Sequence, residues 1–150
     1  RYQRFFTSVT RLTGSQLRYL TNLDQVNHFA WGAETIEGDG IAIARYVRTA
    51  DDAAEAAFTI ADDYQGRGLG SLLLRSLGMV AASNGIERFE MTMLADNIAM
   101  ARLARNAAAV FDAPNGGTVR AELELVPGLW AGLAEGDRLL ALAAAASPVA

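Results

Sequence analysis

Phe58-Thr59-Ile60-Ala61-Asp62-Asp63-Tyr64-Gln65-Gly66-Arg67-Gly68-Leu69-Gly70 decides the fold. The stretch begins apolar, turns polar, and runs into Ser71-Leu72-Leu73-Leu74, where helical spacing starts. Gln65 to Gly70 holds three glycines in six residues, a stretch that can expose a row of backbone N–H groups. A helix starting immediately afterwards adds the positive end of its dipole. The combination suits an anion, and phosphate above all. A Cβ would keep the backbone away from the oxygens, hence the glycines. Arg67 adds a guanidinium matched to phosphate.

Three phosphate loops can be compared with it. A P-loop needs Gly, four residues, then Gly-Lys-Ser/Thr, and the chain has no such string. The dinucleotide pattern Gly-x-Gly-x-x-Gly fails because Gly66-x-Gly68 meets Ser71 at its last position. The third pattern, Gln/Arg-x-x-Gly-x-Gly/Ala, is met by Gln65, Gly68 and Gly70. It resembles the acetyl-CoA pyrophosphate loop of the GNAT superfamily of N-acetyltransferases. The plain alternative is a Gly-rich strand-to-helix turn with no ligand, so the flanks matter. Downstream, Leu69, Leu72, Leu73, Leu77 and Val80 recur at spacings of three and four, one stripe of a helix. Asn84-Gly85 is a helix stop. Upstream, residues 54–61 read as a half-buried strand. Strand, Gly-rich loop, helix is the GNAT order at its central strand.

Composition sets the bounds. The 150 residues amount to one domain, 1–150. A hydrophobic content of 51% with 20% charged residues describes a globular chain. The net charge of −4 speaks against nucleic acid as the main partner. With no cysteine there is no disulfide, thiol nucleophile or cysteine zinc site, and one histidine, His28, argues against a metal site. No apolar run reaches a membrane span of roughly 20 residues, and nothing reads as a signal peptide. The expectation is a soluble cytoplasmic protein that uses no metal.

Along the chain, residues 1–8 read as the tail of a helix, and Thr13-Gly14-Ser15 as the cap of a second helix to about Leu23. Strands follow at 28–36 and 41–48, joined by a hairpin turn at Glu37-Gly38-Asp39-Gly40. After a loop at 49–53 come the central strand, the Leu-rich helix and a strand at 88–94. Asp96-Asn97 caps a helix to about Ala107. Val110-Phe111 and residues 118–126 form a hairpin around Pro114-Asn115-Gly116-Gly117. The Ala-rich segment 133–146 reads as a helix, open between a packing element, a dimer element and a lid. This order resembles the GNAT fold over 1–126, an α/β mixed sheet flanked by helices. The family's N-terminal strand and first part of a helix have no counterpart in it, so an N-terminally incomplete domain is expected.

The similarity narrows further. Tyr2-x-x-Phe5-Phe6, Leu12-Thr13, Asp24 and His28-Phe29 precede the core run Glu55-x-Ala57-Phe58 through Gly70, and Asp96-Asn97-x-x-Met100 follows it. Together they resemble the catalytic domains of actinobacterial protein lysine acetyltransferases. In some of these a cyclic-nucleotide-binding domain precedes the GNAT domain, and others are fused to an acyl-CoA-synthetase-like module. Neither is present in these residues.

Acetyl transfer to lysine needs a neutral amine, and a free lysine, with pKa about 10.4, arrives protonated. A carboxylate in a partly desolvated cleft can take the proton, directly or through water. Glu55 is the candidate, and it aligns with the catalytic glutamate of the enzymes it resembles. By strand parity it points with Ala57 and Thr59, small neighbours that leave room for a substrate and a pantetheine arm. The bland reading is a solvated glutamate at a strand start. The resemblance further implies that Phe58, Thr59 and Ile60 offer backbone to the pantetheine arm of acetyl-CoA. It assigns the pyrophosphate to Gln65, Gly66, Arg67, Gly68, Leu69, Gly70 and Ser71, and the CoA arm to Asn97 and Met100. Asn97 reads equally as a plain N-cap. His28 is open between a structural histidine and a substrate-side group. Arg102 and Arg105, three apart on one face, read as a solvated helix face first and as a contact to the CoA 3′-phosphate second.

One departure stands out. Many family members carry a tyrosine acid in the helix after Asn97, four residues before a Gly-aromatic pair. Here Ala104 takes its place, with Ala108 and Ala109 at the pair, and no tyrosine follows Tyr64. The expectation is therefore an acetyl-CoA-dependent N-acetyltransferase acting on a protein lysine, with an acyl-CoA synthetase among the candidate acceptors and a homodimer admitted. The alternatives are a small-amine acetyltransferase and a degenerate GNAT module with a regulatory or binding role.

Overall fold

The computed structural model describes residues 2–5, 16–20, 27–34, 40–61 and 69–133. They form strands β1 (Tyr2–Phe5), β2 (Gln16–Leu20), β3 (His28–Glu34), β4 (Gly40–Ala50) and β5 (Ala53–Ile60), helix α1 (Leu69–Ser83), strand β6 (Arg88–Leu94), helix α2 (Ile98–Asn106), and strands β7 (Val110–Phe111) and β8 (Thr118–Glu124). A 3₁₀ turn, Pro127–Trp130, follows. The strands make one sheet in the order β1-β2-β3-β4-β5-β6-β8-β7. Only β5 and β6 run parallel, bridged by α1; every other neighbouring pair is antiparallel.

The core lies on the face of the sheet that meets α1. Leu69, Leu73, Leu77 and Val80 of the expected stripe are buried, and Leu72 is partly buried. They meet Ala54 and Ala56 of β5, whose alternation with exposed Glu55, Ala57 and Thr59 is that of a strand with one dry face. Phe29 and Tyr46 stack at 6.1 Å between centroids, and Phe89 meets Tyr46 at 5.9 Å. Such pairs contribute about 0.5–1.5 kcal/mol beyond their buried area. The Asn84 amide donates to the Tyr46 hydroxyl at 3.0 Å, which satisfies the one polar atom of this aromatic row. Gly85, at φ +85°, ends α1 at the expected stop.

Two expectations fail at the N-terminal end. Residues 2–5 and 16–20 are strands, not helices. They pair with each other, Tyr2 opposite Leu20, and β2 pairs on to β3, Gln16 opposite Glu34. Gln16-Leu17-Arg18-Tyr19 alternates polar and apolar, the period of a strand, and the ladder overrides the local cap signal in Thr13-Gly14-Ser15. The loop expected at 49–53 shrinks to Asp51-Asp52, because β4 continues past a register shift between Arg48 and Ala50. The hairpin residues 35–39 and the Ala-rich 134–146 lie outside the described residues.

Arg48 gathers this end of the sheet. Its Nε donates to Asn27 Oδ1 at 2.7 Å, Nη1 to the Asp51 carbonyl at 2.5 Å and Nη2 to the Asn84 carbonyl at 2.6 Å. One guanidinium thus ties the start of β3, the β4–β5 turn and the end of α1.

Candidate active site

The parallel ladder between β5 and β6 is short. Ala53 pairs with Arg88, Ala54 with Phe89 and Glu55 with Glu90, and there it ends. Yet β5 continues to Ile60 and β6 to Leu94. β6 is held by β8 along its whole length, Arg88↔Glu124 to Leu94↔Thr118, while β5 stays with β4. The sheet therefore opens along one seam that starts just beyond Glu55.

A cavity of about 320 Å³ lies beside the opening. Phe58 and Ile60 of β5, Gly70 and Ser71 of α1, and Asn97 and Met100 at the start of α2 line it, with Ala99, Arg102, Leu103 and Asn106 completing the α2 wall. At Gly70 an added Cβ would fall 2.9 Å from Ile60 Cδ1 and 3.3 Å from Leu103 Cδ2, so those two side-chain ends would have to shift. The glycine lets α1, β5 and α2 meet closely here with Ile60 and Leu103 undisplaced.

Six of the expected cofactor residues thus converge: Phe58, Ile60, Gly70, Ser71, Asn97 and Met100. Thr59 and Leu69 do not line the cavity; Thr59 is exposed on the opposite face and Leu69 is core. Gln65, Gly66, Arg67 and Gly68 lie outside the described residues. Asn97 is the N-cap of α2, its Oδ1 accepting from the Met100 N–H at 3.0 Å, and it also lines the cavity.

Residues 3–108 match the profile of the family described as the Acetyltransferase (GNAT) family. This chain belongs to the GNAT acetyltransferase family. Acetyltransferase Pat of Mycolicibacterium smegmatis is 41% identical over 127 residues, which are 83% of this chain and 38% of that protein. The solved GNAT domain of Streptomyces lividans PAT is 34% identical, with a TM-score of 0.62 over 68% of this chain and 63% of that one. The cAMP-binding acyltransferase from Mycobacterium smegmatis superposes with a TM-score of 0.72 at 25% identity, over 98% of this chain and 56% of that one. The chain spans less than two thirds of each of these relatives.

In this GNAT domain Glu55 lies on the face of the sheet opposite the cavity. Register places it in a row with residues from three other strands: His28 opposite Val47, Val47 opposite Glu55, Glu55 opposite Glu90. His28 and Glu55 therefore share a face two strands apart, about 10 Å at ordinary strand spacing. Glu90 is bonded to Arg120 at 2.5 Å, and Arg88 to Asp52 at 2.8 Å. The hydrogen bond that Arg88 donates to Asp52 is the main cause that raises the Arg88 pKa above its ordinary value. Glu90 and Arg120 went unnoticed in the sequence; strand parity marks Glu90, but only sheet order makes it the neighbour of Glu55.

Ala104 is buried in the core and does not line the cavity, and none of the lining residues is a tyrosine. Both arginines of α2 are exposed, as the solvated-face reading expects. Arg102 lines the cavity, while the Arg105 guanidinium sits 5.7 Å from the centroid of the Phe111 ring. Among the described residues no group of three or more His, Asp or Glu side chains is gathered to hold a metal ion, and no helix is long and apolar enough to cross a membrane.

Proposed function

We propose that this domain transfers the acetyl group of acetyl-CoA to a lysine ε-amine on a protein, with Glu55 as general base. The observation that carries the reading is the seam: it opens one residue past Glu55, with the cavity against one face and the carboxylate on the other. Beyond Glu55 the edge of β5 has no ladder with β6, so an extended amide-bearing chain can add to it as a further strand. Gly70 and Ser71 bring the start of α1 to the cavity wall, where backbone N–H groups and the helix dipole favour a pyrophosphate.

The acceptor then comes from the Glu55 face. Freeing a lysine of its proton at pH 7 costs about 4–5 kcal/mol. Glu55 lowers that barrier by taking the proton, directly or through one water, as the amine nitrogen attacks the thioester carbonyl. The C–N bond forms, the C–S bond breaks, and the electron pair leaves on the CoA sulfur. A thiol pKa near that of cysteine, about 8.5, makes the thiolate a good leaving group that solvent can protonate. Glu90 and Glu122 share the row of Glu55 but lie against Arg120 and Arg88, so Glu55 is the carboxylate of the row open to a cationic acceptor. An acyl-CoA synthetase in the cytoplasm is the proposed acceptor, following the resemblance.

The test mixes the domain, acetyl-CoA and a cell extract, with mass spectrometry of the proteins. Enzyme-dependent acetyl-lysine supports the reading. Turnover of small amines with no protein acetylation would replace it with a small-amine acetyltransferase. Absence of both would leave a CoA-binding module, the reading that Ala104 favours.

A further inference from the structure

We propose that Arg75 is a positioning residue for the pyrophosphate end of the cavity, acting through Ser71 and braced by the Pro127–Trp130 turn; this rests on the acyl-CoA reading above. Arg75 lies one turn along α1 from Ser71, partly buried. Its Nε–H donates to Ser71 Oγ at 2.9 Å, and its Nη1–H donates to the Leu129 carbonyl at 2.5 Å. The planar fork makes both bonds at once from two separate nitrogens, a fixed geometry that lysine's single ammonium does not reproduce.

The consequence falls on the Ser71 hydroxyl. It has one hydrogen and two lone pairs. With Arg75 donating to a lone pair, the hydrogen cannot point at the guanidinium and is left to donate elsewhere. Ser71 lines the cavity, so the donor is set towards an anion at the start of α1. The brace itself is built into the fold. Gly78 lies one turn further along α1 than Arg75, and a Cβ there would fall 2.8 Å from Leu129 Cδ2. The missing side chain lets the turn seat against the helix at the height where its carbonyl meets Nη1. A turn 54 residues away in sequence thereby fixes a group at the cavity.

The test is a double-mutant cycle read by calorimetric titration with CoA and with acetyl-pantetheine, which lacks the pyrophosphate. Ser71→Ala and Arg75→Lys should each weaken CoA binding about tenfold, the scale of one hydrogen bond to a charged group. The double variant should bind no worse than Ser71→Ala, and acetyl-pantetheine affinity should stay unchanged throughout. Arg75→Gln, which keeps a donor without the charge, repeats the cycle. Unchanged CoA affinity in Ser71→Ala overturns the proposal, even if an Arg75 variant fails to fold. So does a loss in Arg75→Lys that is as large when Ser71→Ala is already present, or that extends to acetyl-pantetheine. Failure of the parent domain to bind CoA at all would instead overturn the acyl-CoA reading.

Discussion

Glu55 and Glu90 are partners on the last rung of the parallel ladder between β5 and β6, and the sheet opens immediately beyond them. Their environments differ. Glu90 is engaged by Arg120, and Glu55 sits exposed at the foot of the opening. The pair divides at this rung: one carboxylate ties the sheet together, and the other is left to meet solvent and, on the proposed reading, an incoming amine.

Glu55→Gln keeps the size and hydrogen bonding of the side chain but cannot take a proton. Turnover should fall about 10²-fold or more, with CoA affinity retained. In the parent the rate should rise with pH as the acceptor amine loses its proton. Steady-state rates beside a calorimetric Kd check both points, and an undiminished rate at neutral pH would remove Glu55 from the chemistry.

Gly70→Ala separates folding from binding. The new methyl adds helix propensity, worth up to about 1 kcal/mol, against the displacement of Ile60 Cδ1 and Leu103. Both neighbours border the cavity, so their displacement changes its wall. Thermal stability should stay close to that of the parent while CoA affinity drops severalfold.

Ala108 ends α2 at φ +68°. The Ala108 N–H donates to the Arg105 carbonyl and the Ala109 N–H to the Ala104 carbonyl, the closure that glycine usually makes. An alanine in this conformation costs about 1–2 kcal/mol, and glycine's extra freedom in the unfolded chain returns about 0.5–1. Ala108→Gly should therefore stabilise the domain by about 0.5–1 kcal/mol in a denaturant titration. A lower midpoint would contradict it.

Arg48→Met removes three bonds at once and leaves the Asp51 and Asn84 carbonyls without those donors. A loss of about 2 kcal/mol is expected. Because Arg48 stands apart from the cavity, CoA affinity measured well below the melting temperature should be unaffected.

The stretch from β5 through α1 was readable because its signals are local: two-residue parity around Glu55, glycines after it, a leucine stripe next. Asn97 was readable for the same reason, since a cap and its helix are adjacent. Strands β1 and β2 were not. Ser15 and its neighbours favour a helix start, the alternation over Gln16 to Tyr19 is short, and the ladder to β3 decides for the strand. That Glu55 and the cavity lie on opposite faces was equally hidden, because parity says which residues share a side and not which side α1 covers. Arg75 resembles any polar residue of an amphipathic helix until Leu129 is brought to it.

The seam also bears on kinetic order. On the proposed reading, donor and acceptor enter from opposite faces and meet only at the rung of Glu55, so neither blocks the other's path. Both can be bound at once, and transfer needs no acyl-enzyme; initial-velocity plots should intersect rather than run parallel. A bulky acceptor is no handicap in that geometry, since a single extended side chain has to reach the gap while the rest of it stays outside.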